Sequence, residues 1–277
     1  MKIMGNNYFM DNSQLDVLYR NIKIFKNNNS ESIRDLTLIH LTDDYSIIIA
    51  VDSDGGIGPQ EGDTFKCDPY QLGHFAMRVP LLELLSCGAS PLAAFDMLSL
   101  PMNDIGKEIV RGISDELKIA NLGDDFPLSG STEDNVPTNM TSVGTTIIGL
   151  VHKNDFNIGK TQINDFVVCV GIPKSAPDDV ILLDDIEIIN QNDIYKILEI
   201  NGVHEILPVG SKGVENEAHQ LAETANLGLE IFKEQSIDIN KSGGPSTCVI
   251  VSCETDTVPK LVEKLDVPVN VFGKIIQ

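Results

Sequence analysis

The sequence is short of basic residues. It carries 20 Lys plus Arg against 41 Asp plus Glu, a formal net charge of −21. A field of that sign repels nucleic acid and anionic membrane surfaces, so neither is expected as a partner. Long apolar runs are missing too: stretches such as 47–51 and 166–170 are far too short to cross a bilayer. The N-terminus has no basic-then-apolar leader. The five cysteines (Cys67, Cys87, Cys169, Cys248, Cys253) are odd in number and form no CxxC pair. They read as reduced, mostly buried thiols, and a cytoplasmic location is expected.

Several familiar catalytic patterns are also absent. Gly159-Lys160-Thr161 resembles the end of a phosphate-binding P-loop, but Asn154 stands where that loop needs glycine. Gly55-Gly56-Ile57-Gly58 lacks the GxGxxG register of a dinucleotide fingerprint. The histidines (His40, His74, His152, His204, His219) have no zinc-ligand spacing, and no GxSxG nominates a serine nucleophile.

What remains is an ordinary globular composition, 42% hydrophobic and 22% charged, over 277 residues. That length suits one or two domains. β-Branched runs predict strands over 46–51, 92–100, 143–151, 166–170, 248–252 and 269–275. Helical spacing predicts helices over 71–87, 105–117, 215–228 and 257–265, with Pro80 kinking or dividing the first near Val79. A mainly helical acidic segment is expected up to Glu199, and a loop over 123–139. The polar stretch 153–160 marks a domain boundary. Two successive sets of strands and helices indicate an α/β or α+β fold.

The first strand empties into Asp52-Ser53-Asp54-Gly55-Gly56-Ile57-Gly58. If the strand persists, Asp52 and Asp54 leave one face and can share a cation. If it has ended, the glycines let backbone amides approach a phosphate. The bland alternative is an acidic turn. Ser129-Gly130-Ser131-Thr132-Glu133-Asp134 can add amides, hydroxyls and carboxylates to the same ion, or be a plain turn. Asp96, amid Ala93-Ala94-Phe95-Asp96-Met97-Leu98, needs a cation or hydrogen bonds if buried. Glu83 reads equally as a solvent-facing residue. In so acidic a chain, a polyphosphate would need local neutralisation, which a divalent cation on carboxylates provides.

Taken together, these segments resemble the superfamily of aminoimidazole ribonucleotide (AIR) synthase, thiamine-monophosphate kinase, selenophosphate synthetase and the hydrogenase-maturation dehydratase. The acidic, glycine-rich turn at 52–58 is similar to the family's. So are Leu72-Gly73-His74 and the helix ending in Gly88-Ala89-Ser90-Pro91. Ser129-Gly130-Ser131-Thr132 stands where members have Gly-Gly-Asp-Thr. Residues 203–213 with 221–231 resemble the family's second-domain helix, and Ser242-Gly243-Gly244 and Val271-Phe272-Gly273-Lys274-Ile275 its closing segments.

The polar, Asn-rich start reads as an N-terminal arm or helix (1–33). The resemblance implies an ATP-binding domain (34–153) whose strands form a β-barrel shared across a homodimer, and a C-terminal α/β domain (154–277). It implies ATP and Mg²⁺ as cofactors. Asp52 and Asp54 would hold metal–phosphate, with Asp35, Glu83 and Glu133 as further metal ligands. Gly55, Gly56, Gly58, Gly130, Ser131 and Thr132 would cradle the phosphates. Asp96 would serve as reserve ligand or base, and Lys212 as a clamp on the transferring group.

Ser131 replaces a metal-binding aspartate, with Glu133 or Asp134 compensating. Pro208-Val209-Gly210-Ser211-Lys212-Gly213 loses the acid of the usual Asp-x-Ser/Thr-x-Gly-Gly and gains a lysine. That pattern is more similar to a divergent kinase branch resembling α-ribazole kinase, of cobamide lower-ligand salvage. The expected reaction is phosphoryl transfer to a hydroxyl of a small nucleoside-like substrate. An ATP-dependent synthetase or dehydratase is the alternative, or a nucleotide-binding protein of weakened turnover.

Overall fold

The computed structural model describes residues 30–277. The expected terminal arm or helix lies outside the described residues except for 30–33, which form a strand.

The first sheet contains β1 (Ser30–Ile33), β2 (Leu36–His40), β3 (Tyr45–Gly55), β4 (Ser90–Leu98), β5 (Leu128–Thr132) and β6 (Ser142–His152), in the order β1-β2-β3-β6-β4-β5. Only the β4–β5 pair is parallel. Among the described residues of a single chain the sheet is open, with edges at β1 and β5, and does not close into a barrel. Its inner face is covered by α1 (Pro69–Ser86) and α2 (Asp104–Ile119). The second sheet, wholly antiparallel, contains β7 (Phe166–Gly171), β8 (Val203–Pro208), β9 (Gly228–Ile231), β10 (Cys248–Cys253) and β11 (Val269–Ile276), ordered β8-β10-β7-β11-β9. With it go α3 (Gln191–Leu198), α4 (Val214–Thr224) and α5 (Val258–Lys264).

One hydrophobic core joins the two sheets. Val168, Val170, Val249 and Val251 share it with Ile48, Leu81 and Ile147, whereas Val167, Cys169 and Ile250 face a second core with Ala218 and Leu221 of α4. Because β7 and β10 are buried on both faces, they read as continuous apolar runs rather than alternating ones. The five cysteines are free, and Cys67 alone is not fully buried. Among the described residues, no helix is long and apolar enough to cross a membrane.

Helix α1 begins at a clear signal: Asp68 accepts from the amides of Tyr70 (3.0 Å) and Gln71 (3.2 Å), with Pro69 just inside. Pro80 was expected to kink or divide it, yet the helix runs unbroken to Ser86. A proline there removes the amide that would bond the Ala76 carbonyl. The Thr145 hydroxyl of β6 donates to that carbonyl instead, at 2.6 Å.

Three expectations need correction. The segment 129–132 is edge strand β5 rather than loop, because it pairs in parallel with β4. The stretch before Glu199 is helical only in α3; 172–190 is irregular and pinned by ion pairs of Lys174 with Asp185 (2.6 Å) and Glu187 (2.7 Å). Residues 203–208, likened to a helical region, form β8, since they pair with β10.

Candidate active site

Strand β3 persists through Gly55, so Asp52 and Asp54 share the inner face with buried Ile48 and Ala50 while Val51 and Ser53 point outward. Register then aligns the candidates. Asp52 lies opposite Thr145 of β6, Thr145 opposite Asp96 of β4, and Asp96 opposite Gly130 of β5. The next row on the same face runs Asp54, Val143, Leu98, Thr132. Residues separated by eighty positions in sequence therefore occupy two adjacent rows of one sheet.

Each member has a distinct environment. Burial raises the Asp52 carboxyl, the Ser53 amide opposes this, and the charge of Asp35 adds to the rise. Asp54 is pushed up to about 7, first by burial and then by Asp52. Asp96 is only 4% exposed and its carboxyl is raised by burial. It packs flat against Gly130, where an added Cβ would lie 2.4 Å from the carboxylate, so glycine is required there. Asp96 therefore backs β5 instead of facing solvent.

Glu83, near the end of α1, is pushed up to about 8 by burial and by the charges of Asp35, Glu217 and Asp52, against the pull of Arg34. Glu217, in the first turn of α4, is 6% exposed and likewise raised by burial and by Asp35, with Lys212 and Arg34 opposing. The set Asp35, Asp52, Asp54, Glu83 and Glu217 is thus one mutually repelling group drawn from β3, α1, the β1–β2 turn and the second half of the chain. Lys212 is exposed beside Glu217.

Other expected residues stand elsewhere. The Glu133 carboxylate accepts from the amides of Asn135 (2.7 Å) and Val136 (3.0 Å), so it closes a turn instead of joining the carboxylate group. The Gly56 and Gly58 amides already donate to the carbonyls of Thr141 (2.9 Å) and Phe65 (3.0 Å). These glycines serve the turn: at Gly58, with φ +149°, an added Cβ would lie 2.5 Å from the Thr141 hydroxyl. Gly55 ends β3 opposite Ser142, beside a cavity of about 550 Å³ lined by Ser99, Pro137, Thr138, Asn139, Met140 and Ser142. Thr132 donates to Asp134 at 2.9 Å, and Ser131 is exposed. As an edge strand, β5 still leaves alternate backbone amides and carbonyls unpaired.

Among the described residues, no three His, Cys, Asp or Glu side chains are gathered into a ready metal cage. The donor chemistry nevertheless suits a hard cation. Mg²⁺ is commonly held by one or two carboxylates, with phosphate oxygens and water completing its shell. Asp52 and Asp54, two apart on the inner face of β3, could supply such carboxylates. Arg34 and Glu217 were not expected from the sequence. An acid in a helix's first turn normally signals only a favourable helix dipole, and Arg34 showed no sign beyond its place before Asp35.

Residues 34–151 match the family model described as AIR synthase related protein, N-terminal domain. Solved structures extend the likeness in fold to nearly the whole chain. PurL of T. maritima, complexed with ADP, is 17% identical with a TM-score of 0.65, over 94% of this chain and 45% of that one. This chain spans less than half the length of the PurL structures it matches. Thiamine-monophosphate kinase of Aquifex aeolicus is 12% identical, TM-score 0.63, over 96% and 94% of the two chains. The enzyme of the same name from Stenotrophomonas maltophilia is 16% identical, TM-score 0.60, over 97% and 95%. No curated protein matches in sequence.

Proposed function

We propose that the protein is a cytoplasmic ATP- and Mg²⁺-dependent phosphotransferase of the AIR synthase superfamily, acting on a hydroxyl of a small nucleoside-like substrate. The observation that carries this reading is the pair of cross-strand rows headed by Asp52 and Asp54, beside a Glu83 held up to about 8. Carboxylates forced together without enough protein cations are a site for a cation that arrives with its ligand. Support for ATP as that ligand comes from the fold, since PurL structures that share it hold ADP, AMPPCP and ATP.

In this reading Mg²⁺ would be held by one or two carboxylates drawn from Asp52, Asp54, Asp35 and Glu83, with phosphate oxygens and water completing its shell. When bound, Mg²⁺ withdraws charge from the phosphates. The free edge of β5 and the Thr132 hydroxyl orient the phosphate oxygens, while Asp96 holds β5 in place from behind. The acceptor hydroxyl oxygen attacks the γ-phosphorus, its proton passes to a transferred phosphoryl oxygen or to water, the bond to the bridging oxygen breaks, and ADP leaves. Lys212 faces the transferring group or an anionic acceptor. Catalysis is alignment and electrostatics. The acceptor that the substitutions at 208–213 favour is α-ribazole.

Titration calorimetry of ATP with Mg²⁺ tests the nucleotide half; wild-type affinity in an Asp52→Ala/Asp54→Ala double variant sinks the assigned roles. A phosphotransfer screen over nucleosides including α-ribazole, with mass detection, tests the acceptor. The likeness to PurL favours a second reading, an ATP-dependent synthetase or dehydratase. Stoichiometric free phosphate with a phosphate-free product would select it, whereas a stable phosphorylated product selects the kinase. ATP binding without turnover across the panel would identify a binding protein.

The outer face of the first sheet supports a homodimer. It exposes Tyr45, Val51, Leu92 and Met97, each 45–59% accessible. An apolar face of this kind fits a second copy of itself. A monomer by light scattering at micromolar concentration would refute that.

A further inference from the structure

Arg34 and Asp35 are the two residues of the tight turn between β1 and β2, which pair at Ile33 and Leu36. Arg34 has φ +54°, a conformation that costs a non-glycine residue about 1–2 kcal/mol. Its side chain holds it there. The guanidinium donates through Nη2 to Glu205 of β8, and through Nε to the Thr224 hydroxyl at 3.2 Å. The ion pair is enclosed, with Arg34 5% and Glu205 0% exposed.

Glu205 is a junction in its own right. It accepts from the amides of Gly159 (3.0 Å) and Thr161 (3.1 Å) and from the Thr161 hydroxyl (2.7 Å). One carboxylate therefore ties the N-terminal hairpin, the connection between the sheets and β8. Thr224 ends α4, the helix whose first turn carries Glu217. Two arms of one guanidinium thus grip the strand and the helix that build the second half.

We infer that Arg34 is a positioning residue of the nucleotide site, fixing the Asp35 turn against the second half so that Asp35 and Glu217 are held together beside Glu83. The inference rests on the nucleotide reading proposed above. Arg34 thereby ties the turn that carries Asp35 to both the strand and the helix of the second half. Lysine cannot replace it fully, because an ammonium is a point charge and not a fork spanning two acceptors.

The test separates this role from a merely structural staple. Glycine at position 34 suits the positive φ, so the turn keeps its conformation, and Glu205 retains three donors. ATP binding is titrated calorimetrically over a Mg²⁺ series for wild type, Arg34→Gly and Arg34→Lys, well below each protein's Tm. Arg34→Gly is expected to raise the Mg²⁺ concentration for half-maximal binding roughly tenfold. Arg34→Lys should fall between it and wild type. A folded Arg34→Gly protein with wild-type Mg²⁺ dependence overturns the inference while leaving the nucleotide reading intact. Wild type that binds no Mg²⁺–ATP overturns both. Should Arg34→Gly fail to fold, Thr224→Val removes the Nε contact, together with the local bond from the Thr224 hydroxyl to the Gln220 carbonyl (2.6 Å), and keeps the ion pair. A rise of about twofold is then expected, and an unchanged Mg²⁺ dependence overturns the inference.

Discussion

Glu83 belongs to α1 and Glu116 faces that helix from α2, and burial alone would push each carboxyl up. Glu116 ends about 2 and Glu83 about 8. The difference is in their partners. Glu116 receives Arg78 Nε at 2.6 Å, His74 Nδ1 at 2.7 Å and the Gln191 side-chain amide, so the protein supplies its neutralisation from α1 and the start of α3. Glu83 has Asp35, Glu217 and Asp52 around it and Arg34 as the opposing cation. One carboxylate is finished by folding; the other is left for something to complete it. The contrast separates a structural charge from a candidate functional one more sharply than depth of burial does, since Glu116 is the more deeply buried of the two.

The hardest blow to this contrast falls on the paired side. Arg78→Met should destabilise the protein by about 3–5 kcal/mol, because Glu116 would remain as an undercompensated buried charge. Urea unfolding reads it; a loss below about 1 kcal/mol would mean that the network is dispensable. On the unpaired side, Asp54→Asn should weaken Mg²⁺–ATP affinity roughly tenfold or more without lowering the metal-free Tm at pH 8. A clear fall in that Tm would show that Asp54 already has its partner within the fold.

The two sites also respond oppositely to acid. Asp54 stands at about 7 folded against an ordinary 3.8, so the folded state binds the proton more tightly and its contribution to stability falls as pH rises from about 4 to 7. Glu116, at about 2 against 4.5, contributes stability above pH 4.5 that is lost as pH falls from there towards 2. Thermal melts across pH 3–8 should therefore show Asp54→Asn losing its share of the neutral-side decline, the part due to Glu83 remaining, with the acid-side loss unchanged. An identical neutral profile in variant and wild type would rule out Asp54 as its source. The smallest effect on nucleotide affinity is expected at exposed Lys212: Lys212→Ala should leave ATP affinity within about twofold while lowering the rate of phosphoryl transfer to the acceptor. A loss of nucleotide affinity would move that lysine to the other half of the site.

How much of this was legible in the sequence depended on locality. Strands β3, β6, β7, β10 and β11 announced themselves through β-branched runs, and α1 and α2 through their apolar spacing. Asp52 and Asp54 were visible because a strong strand ran straight into them. Strand β5, Leu-Ser-Gly-Ser-Thr, carries no alternation, since an edge strand leaning on Asp96 buries little of its own. Strand β8 hid its character because His204 and Glu205 sit where apolar residues would be expected; His204 pairs with Asp165 at 2.7 Å and Glu205 with Arg34. The positions that sequence could not single out acquire their meaning from distant groups, Arg34 from Glu205, 171 positions away, and Glu217 from Asp35 and Glu83 in the first half.

The hydroxyl of Thr145 has a consequence beyond repairing the hydrogen bond that Pro80 removes. Thr145 stands between Asp52 and Asp96 in the cross-strand row, while the carbonyl it holds belongs to the helix that carries Glu83. It acts as an indexing pin, a single peg that sets how far along the sheet the helix is seated. A one-notch slide of α1 would break that peg and carry Glu83 away from the aspartates together, so the spacing between helix-borne and strand-borne acids is gauged by one threonine.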